Sequence, residues 1–199
     1  MSTIEFFFDF GSPTTYLAHT QLPRIAAACA ATLVHRPMLL GGVFKATGNS
    51  SPVMVPAKGR WMGQDIARWA QRYGVPFVFN PSFPINTLSL MRGAVGVQRR
   101  LPQLLTRYLD AVFHAMWVQP RDLGQSAEVA AVLAPLGITA EDFMALVSDP
   151  EIKAALVANT EEAVARGVFG APTCFVGEAM FFGQDRLDFV REAASAARP

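Results

Sequence analysis

The sequence predicts an α/β fold in which a β-α-β unit and a β-β-α unit flank an all-helical insertion. Three observations carry that prediction. An aromatic run from Ile4 to Phe8 lacks helical spacing and opens onto Gly11-Ser12-Pro13, which reads as strand, tight turn and helix start. Strand chemistry returns near the end in Thr173-Cys174-Phe175-Val176 and Ala179-Met180-Phe181-Phe182, joined by the turn dipeptide Gly177-Glu178. The stretch between carries helical patterns punctuated by Pro and Gly. On this reading residues 1–56 and 156–199 form one discontinuous domain, and residues 57–155 form the helical insertion.

Taken in order, Ser12 is a preferred N-cap and Pro13 a favoured first helical residue, so the first helix covers residues 13–30. Pro23 lies inside it, and a kink or brief break is expected near Leu22. Thr32-Leu33-Val34-His35-Arg36-Pro37-Met38 alternates enough to be a second strand, parallel to the first. His35 reads as a strand-surface residue rather than a catalytic base. Residues 39–56, with Gly41-Gly42, Gly48-Asn49-Ser50, Pro52 and Pro56, read as a long loop of the kind that often carries function. Asn49 either takes up a left-handed turn there or reaches into a neighbouring cleft. Trp61, Ile66, Trp69 and Tyr73 mark an amphipathic helix ending at Gly74. After a Pro-rich link, helices are expected over residues 87–99, 102–117, 126–135, 139–147 and 149–166, the last started by Asp149-Pro150. Asp185 reads as the N-cap of a final helix.

Composition narrows the function. Half the chain is hydrophobic (51%) and only 17% is charged, which excludes a disordered chain. A net charge of +1, with no basic run longer than Arg99-Arg100, argues against nucleic acid as a partner. No apolar run approaches membrane-spanning length, and the N-terminus shows no basic-then-apolar leader. The two cysteines, Cys29 and Cys174, are far apart and form no metal-type cluster; a cytoplasmic, reducing setting is the default, and a Cys29–Cys174 disulfide the alternative. His19, His35 and His114 show no ligand-like spacing, so no metal is expected.

Ser12-Pro13-Thr14-Thr15 has the placement of a thioredoxin-type C-P-x-C motif, with both cysteines replaced. A hydroxyl at a helix N-terminus either caps the helix and nothing more, or stabilises an anion brought by another molecule. The wider pattern resembles a family. The two halves split by helices, with Ala171-Pro172 before the third strand, are similar to the DsbA-like branch of the thioredoxin fold. Within it, several motifs resemble the kappa-class glutathione transferases and 2-hydroxychromene-2-carboxylate isomerases: Phe8-Asp9-Phe10-Gly11-Ser12-Pro13, Gly48-Asn49, Val55-Pro56-Ala57-Lys58-Gly59, Gly167-Val168-Phe169-Gly170-Ala171-Pro172-Thr173 and Phe182-Gly183-Gln184-Asp185-Arg186.

The resemblance implies glutathione as cofactor and assigns roles. Ser12 would hydrogen-bond the glutathione sulfur and is the catalytic residue. Asn49 and Lys58 would line the same cleft, with Lys58 near a carboxylate. The backbone of Ala171, before a cis Pro172, would pair with the cysteinyl backbone like an added strand. Gln184 and Asp185 would hold the γ-glutamyl end. Each residue has a plainer use: Lys58 as an exposed helix-start lysine, Asp185 as a cap. Phe44, Trp61, Trp69 and Trp117 are candidates for an aromatic-substrate wall, with core packing expected for at least two.

The implied activity is glutathione-dependent cis–trans isomerisation of 2-hydroxychromene-2-carboxylate to trans-o-hydroxybenzylidenepyruvate, in naphthalene-type degradation. The resemblance also implies a homodimer. The alternatives are a kappa-class transferase or peroxidase, a DsbA-like oxidoreductase, and a non-catalytic glutathione-binding module. Ser12 and Thr15 argue against the oxidoreductase, because neither can form the mixed disulfide that exchange requires.

Overall fold

The computed structural model describes residues 2–196. Four strands form one sheet: β1 is Thr3–Phe8, β2 Thr32–Pro37, β3 Thr173–Val176 and β4 Ala179–Phe182, in the order β2-β1-β3-β4. β1 and β2 are parallel, with Phe6 opposite His35. β3 is antiparallel to β1, placing Cys174 opposite Phe6, and β4 is antiparallel to β3 across the turn at 177–178. The two halves expected from the sequence therefore meet through β1 and β3.

β1 is continuously apolar and buried from Phe6 to Phe8, where both faces of the sheet are covered, while Glu5 is half-buried and paired with Arg166 at 2.8 Å. Ile4, Phe6 and Phe8 enter the main core, while Phe7 points the other way into a smaller cluster with Met38, Val43, Ala163, Val168 and Phe175. Helix α1 (Pro13–Cys29) follows, and Pro23 sits within it without ending it. The long loop expected over residues 39–56 is corrected by the structure. It contains helix α2, Leu40–Thr47, and a 3-10 turn, Pro52–Met54. Burial of Val43 and close approach to a later helix override the poor helix propensity of Gly41-Gly42: a Cβ on Gly42 would lie 3.1 Å from Thr160 Cγ2.

Helix α3 (Pro56–Tyr73) ends at Gly74, whose φ of 66° needs glycine. α4 (Leu88–Arg100), α5 (Leu105–Trp117), α6 (Ser126–Leu133), α7 (Ala140–Ser148) and α8 (Pro150–Ala165) complete the helical block. Thr139 and Asp142 form a capping box on α7, and Asp149 caps α8 through the Glu151 N–H at 2.7 Å. The final helix, α9, is Leu187–Ala196. Asp185 does not cap it, as the sequence had implied; it lies in a 3-10 turn, Gln184–Arg186, and pairs with Arg186 at 2.8 Å. The turn takes up the residues just before the helix, so the capping position falls after Asp185.

The helical block is fastened to the site-bearing turn by Trp117. Its ring is fully buried, and its Nε1–H donates to the Phe10 carbonyl at 2.9 Å. Cys29 and Cys174 are both buried and not joined to each other, so the disulfide alternative is not formed, and burial pushes the Cys174 thiol up to about 12. Among the described residues no single helix is long and apolar enough to cross a membrane.

Candidate active site

The site begins with an acid the sequence had placed only within a motif. Asp9 is buried at the end of β1. Its Oδ1 accepts from the Gly11 N–H at 2.9 Å and its Oδ2 from the Leu40 N–H at 2.8 Å. Burial pushes its carboxyl above the ordinary value, against the pull of those bonds and of the Thr87 hydroxyl. One side chain thus fixes the turn leading into α1 and ties the start of α2 to it. A lone acid among Phe6, Phe7, Phe8 and Phe10 was the signal available in the sequence.

That turn delivers Ser12 as the N-cap of α1, where it is 5% exposed and its Oγ accepts from the Thr15 N–H at 3.2 Å. The Ser12 hydroxyl donates to the Ala171 carbonyl at 3.0 Å. Thr14 Oγ1 lies 2.9 Å from Ser12 Oγ and donates to the same carbonyl at 3.3 Å. The Ala171–Pro172 peptide is cis. The serine at the helix N-terminus and the loop before β3, 159 residues apart in sequence, therefore share one hydrogen-bonded cluster.

A cleft of about 460 Å³ opens beside this cluster, and Ser12, Asn49, Lys58, Ala171, Gln184 and Asp185 all line it. Pro172 is not among its lining residues; it is buried. The Asn49 side chain donates through Nδ2 to the Phe169 carbonyl at 2.8 Å and accepts the Ser50 N–H at 2.8 Å, bracing the loop before Ala171. Lys58 is exposed in the first turn of α3. The Gln184 carbonyl accepts the Tyr73 hydroxyl at 2.6 Å.

The remaining wall is apolar. Phe44 and Trp61 line the cleft, whereas Trp117 is core and Trp69 packs on Tyr73, ring centroids 5.3 Å apart. Phe83, Phe169 and Phe182 join the wall, with the last two rings 4.6 Å apart. The sequence offered little to find them, since only folding brings residues 83, 169 and 182 together. A larger groove, about 750 Å³, runs past His19, His35 and Asp110 along α1. The smaller cleft is the candidate because a helix N-terminus, a hydroxyl and a lysine converge on it.

Chemically, this cleft can hold an anion at one end and an apolar, aromatic group along its wall. No cysteine lines it; positions 12 and 15 carry hydroxyls, and Cys174 is buried in β3. Any sulfur nucleophile must come from a ligand.

Comparisons with known proteins bear on the fold and the family. A DsbA-like thioredoxin domain model matches residues 3–195. The chain is 32% identical over 194 residues to a 2-hydroxychromene-2-carboxylate isomerase of Sphingobium xenophagum, covering 94% of this chain and 95% of that one. It is 28% identical over 200 residues to glutathione S-transferase kappa 1 of Homo sapiens, covering 94% and 88%. A solved structure of a 2-hydroxychromene-2-carboxylate isomerase superposes with a TM-score of 0.86 at 30% identity, covering 98% of this chain and 95% of that one. On these matches and this fold, the chain belongs to the 2-hydroxychromene-2-carboxylate isomerase and kappa-class glutathione transferase family, within the DsbA-like thioredoxin fold.

Proposed function

We propose that the protein is a glutathione-dependent isomerase that interconverts 2-hydroxychromene-2-carboxylate and trans-o-hydroxybenzylidenepyruvate. The observation that carries the reading is the Ser12 hydroxyl, held at the N-terminus of α1 and facing Ala171 in a cleft without cysteine. The residues present fit glutathione. The Ala171 N–H, which makes no hydrogen bond to the protein among the described residues, and the Ala171 carbonyl suit a strand-like pairing with its cysteinyl unit. Lys58 supplies a cation for a carboxylate, and Asp185 an anion for the γ-glutamyl ammonium. Glutathione supplies a thiolate that adds reversibly to the conjugated double bond of the substrate, permitting rotation about it.

The protein's task is to keep that sulfur ionised. An ordinary thiol titrates near pKa about 8.5, so a shift of about two units takes roughly 2.7 kcal/mol. A charge-assisted hydrogen bond from Ser12 contributes roughly 1.5–3 kcal/mol and the helix N-terminus roughly 0.3–1 kcal/mol. Together, at roughly 2–4 kcal/mol, they are of the size required. Ser12 acts as a hydrogen-bond donor and not as a nucleophile.

The test is a spectrophotometric assay of the chromene acid with and without glutathione. Turnover should require glutathione, and Ser12→Ala should lower kcat by about 10- to 100-fold, the worth of a hydrogen bond to a charged group. Glutathione binding should fall only modestly. No turnover of the chromene acid would sink the isomerase reading. The 28% identity to kappa 1 keeps the transferase as the second reading, and release of a glutathione adduct as product would favour it.

A further inference from the structure

We propose that Thr14 is a positioning residue for Ser12, whose hydroxyl takes the place of Ser12 on the Ala171 carbonyl and so frees the Ser12 proton for the sulfur. The inference rests on the glutathione reading given above. A serine hydroxyl has a single proton to give. The Ser12 oxygen already accepts the Thr15 N–H at 3.2 Å, while its proton goes to the Ala171 carbonyl at 3.0 Å. Ser12 cannot stabilise a thiolate until that carbonyl lets go of it.

A carbonyl oxygen has two lone pairs. The Thr14 hydroxyl lies 3.3 Å from the same oxygen and 2.9 Å from Ser12 Oγ, so its one proton can serve either: Ser12 Oγ while Ser12 holds the carbonyl, and the carbonyl once Ser12 leaves it. When the cysteinyl N–H of glutathione takes one lone pair of Ala171, Thr14 takes the other. Ser12 is then displaced and turns to the sulfur beside it. Without the Thr14 hydroxyl, one lone pair stays open within reach of Ser12 and competes with the thiolate. Capping of α1 does not need Thr14, because Ser12 already holds the Thr15 N–H. Thr14 lines the cleft, so its hydroxyl is placed for this exchange.

The test compares Thr14→Val, which keeps the shape and removes the hydroxyl, with Thr14→Ser, which keeps the hydroxyl. The ultraviolet thiolate band of glutathione bound to each protein is titrated with pH. Thr14→Val should raise the pKa of the bound thiol by about one unit, which is about tenfold less thiolate near neutral pH. Its kcat should fall in proportion, recover at higher pH, and leave KM for glutathione nearly unchanged; Thr14→Ser should behave as the parent protein. A Thr14→Val variant that titrates like the parent, or a Thr14→Ser variant that titrates like Thr14→Val, overturns the role of Thr14 while leaving the glutathione reading intact. If the parent protein itself shows no bound thiolate, the glutathione reading fails, and this inference with it.

Discussion

His35 shows how burial sets the charge of a single residue. Its ring lies edge-on to Phe6 and Phe8, with centroids 6.0 and 6.1 Å away, and 6.3 Å from His19. Burial first, then positive charge on His19, lower its pKa from 6.5 to about 4, against the pull of Asp110. The unfolded chain therefore binds more protons than the folded one between those values, and stability is lost as pH falls from 6.5 toward 4. The loss attributable to His35 is at most ~3 kcal/mol. Asp9 works in the opposite sense, because a carboxyl pushed above its ordinary value makes the fold less stable as pH rises through the shifted range. Comparing denaturation of the parent and His35→Phe at pH about 4.5 and 7 isolates the histidine, and the acid-side loss should be smaller in the variant. Equal losses would show that His35 is not what titrates. The strand position of His35 was legible in the alternation of residues 32–38, but its ring partners come from β1 and α1 and were not.

Among the elements, α2 and α4 separate propensity from packing. Glycine weakens an isolated helix by about 1 kcal/mol relative to alanine, so Gly41-Gly42 reads as loop. In the fold Gly42, Gly93 and Gly96 are points of close approach, whereas Gly41 faces open space. A Cβ on Gly93 would lie against the Tyr108 hydroxyl and the Phe143 ring, and one on Gly96 3.2 Å from the Leu146 side chain. Gly93→Ala, which would favour α4 as a lone helix, should destabilise the protein by roughly 1–3 kcal/mol through overpacking, measured by urea denaturation. A neutral or stabilising result would mean that Tyr108 and Phe143 can move aside. The helices with strong end signals, such as Asp149-Pro150 for α8 and Gly74 for α3, were legible because a cap acts locally. The start of α9 was not, because the 3-10 turn that displaces Asp185 from the cap belongs to the loop around Gly183.

Across the whole molecule, one buried cluster runs from β1 and α1 through the helical block to α9, so the division at residues 57–155 is proposed as one of topology rather than of folding. Trp117 reports on the block, while its ring nitrogen is bonded to the Phe10 carbonyl beside the site. Thermal unfolding followed by tryptophan fluorescence and by far-ultraviolet circular dichroism should give coincident transitions. An earlier loss of the fluorescence signal would mean that the block melts by itself. The sequence alone determined the order of the strands and of the helices other than α2, the Ser12 cap on α1 and the motifs that name the family, because capping, periodicity and turn chemistry act over a few neighbouring residues. The tertiary structure decided that α2 is helical, that Trp61 faces the cleft while Trp117 is core, and that Ser12 and Thr14 converge on Ala171. Those outcomes depend on contacts between residues far apart in the chain, and the free energy that fixes them exists only once both partners are in place.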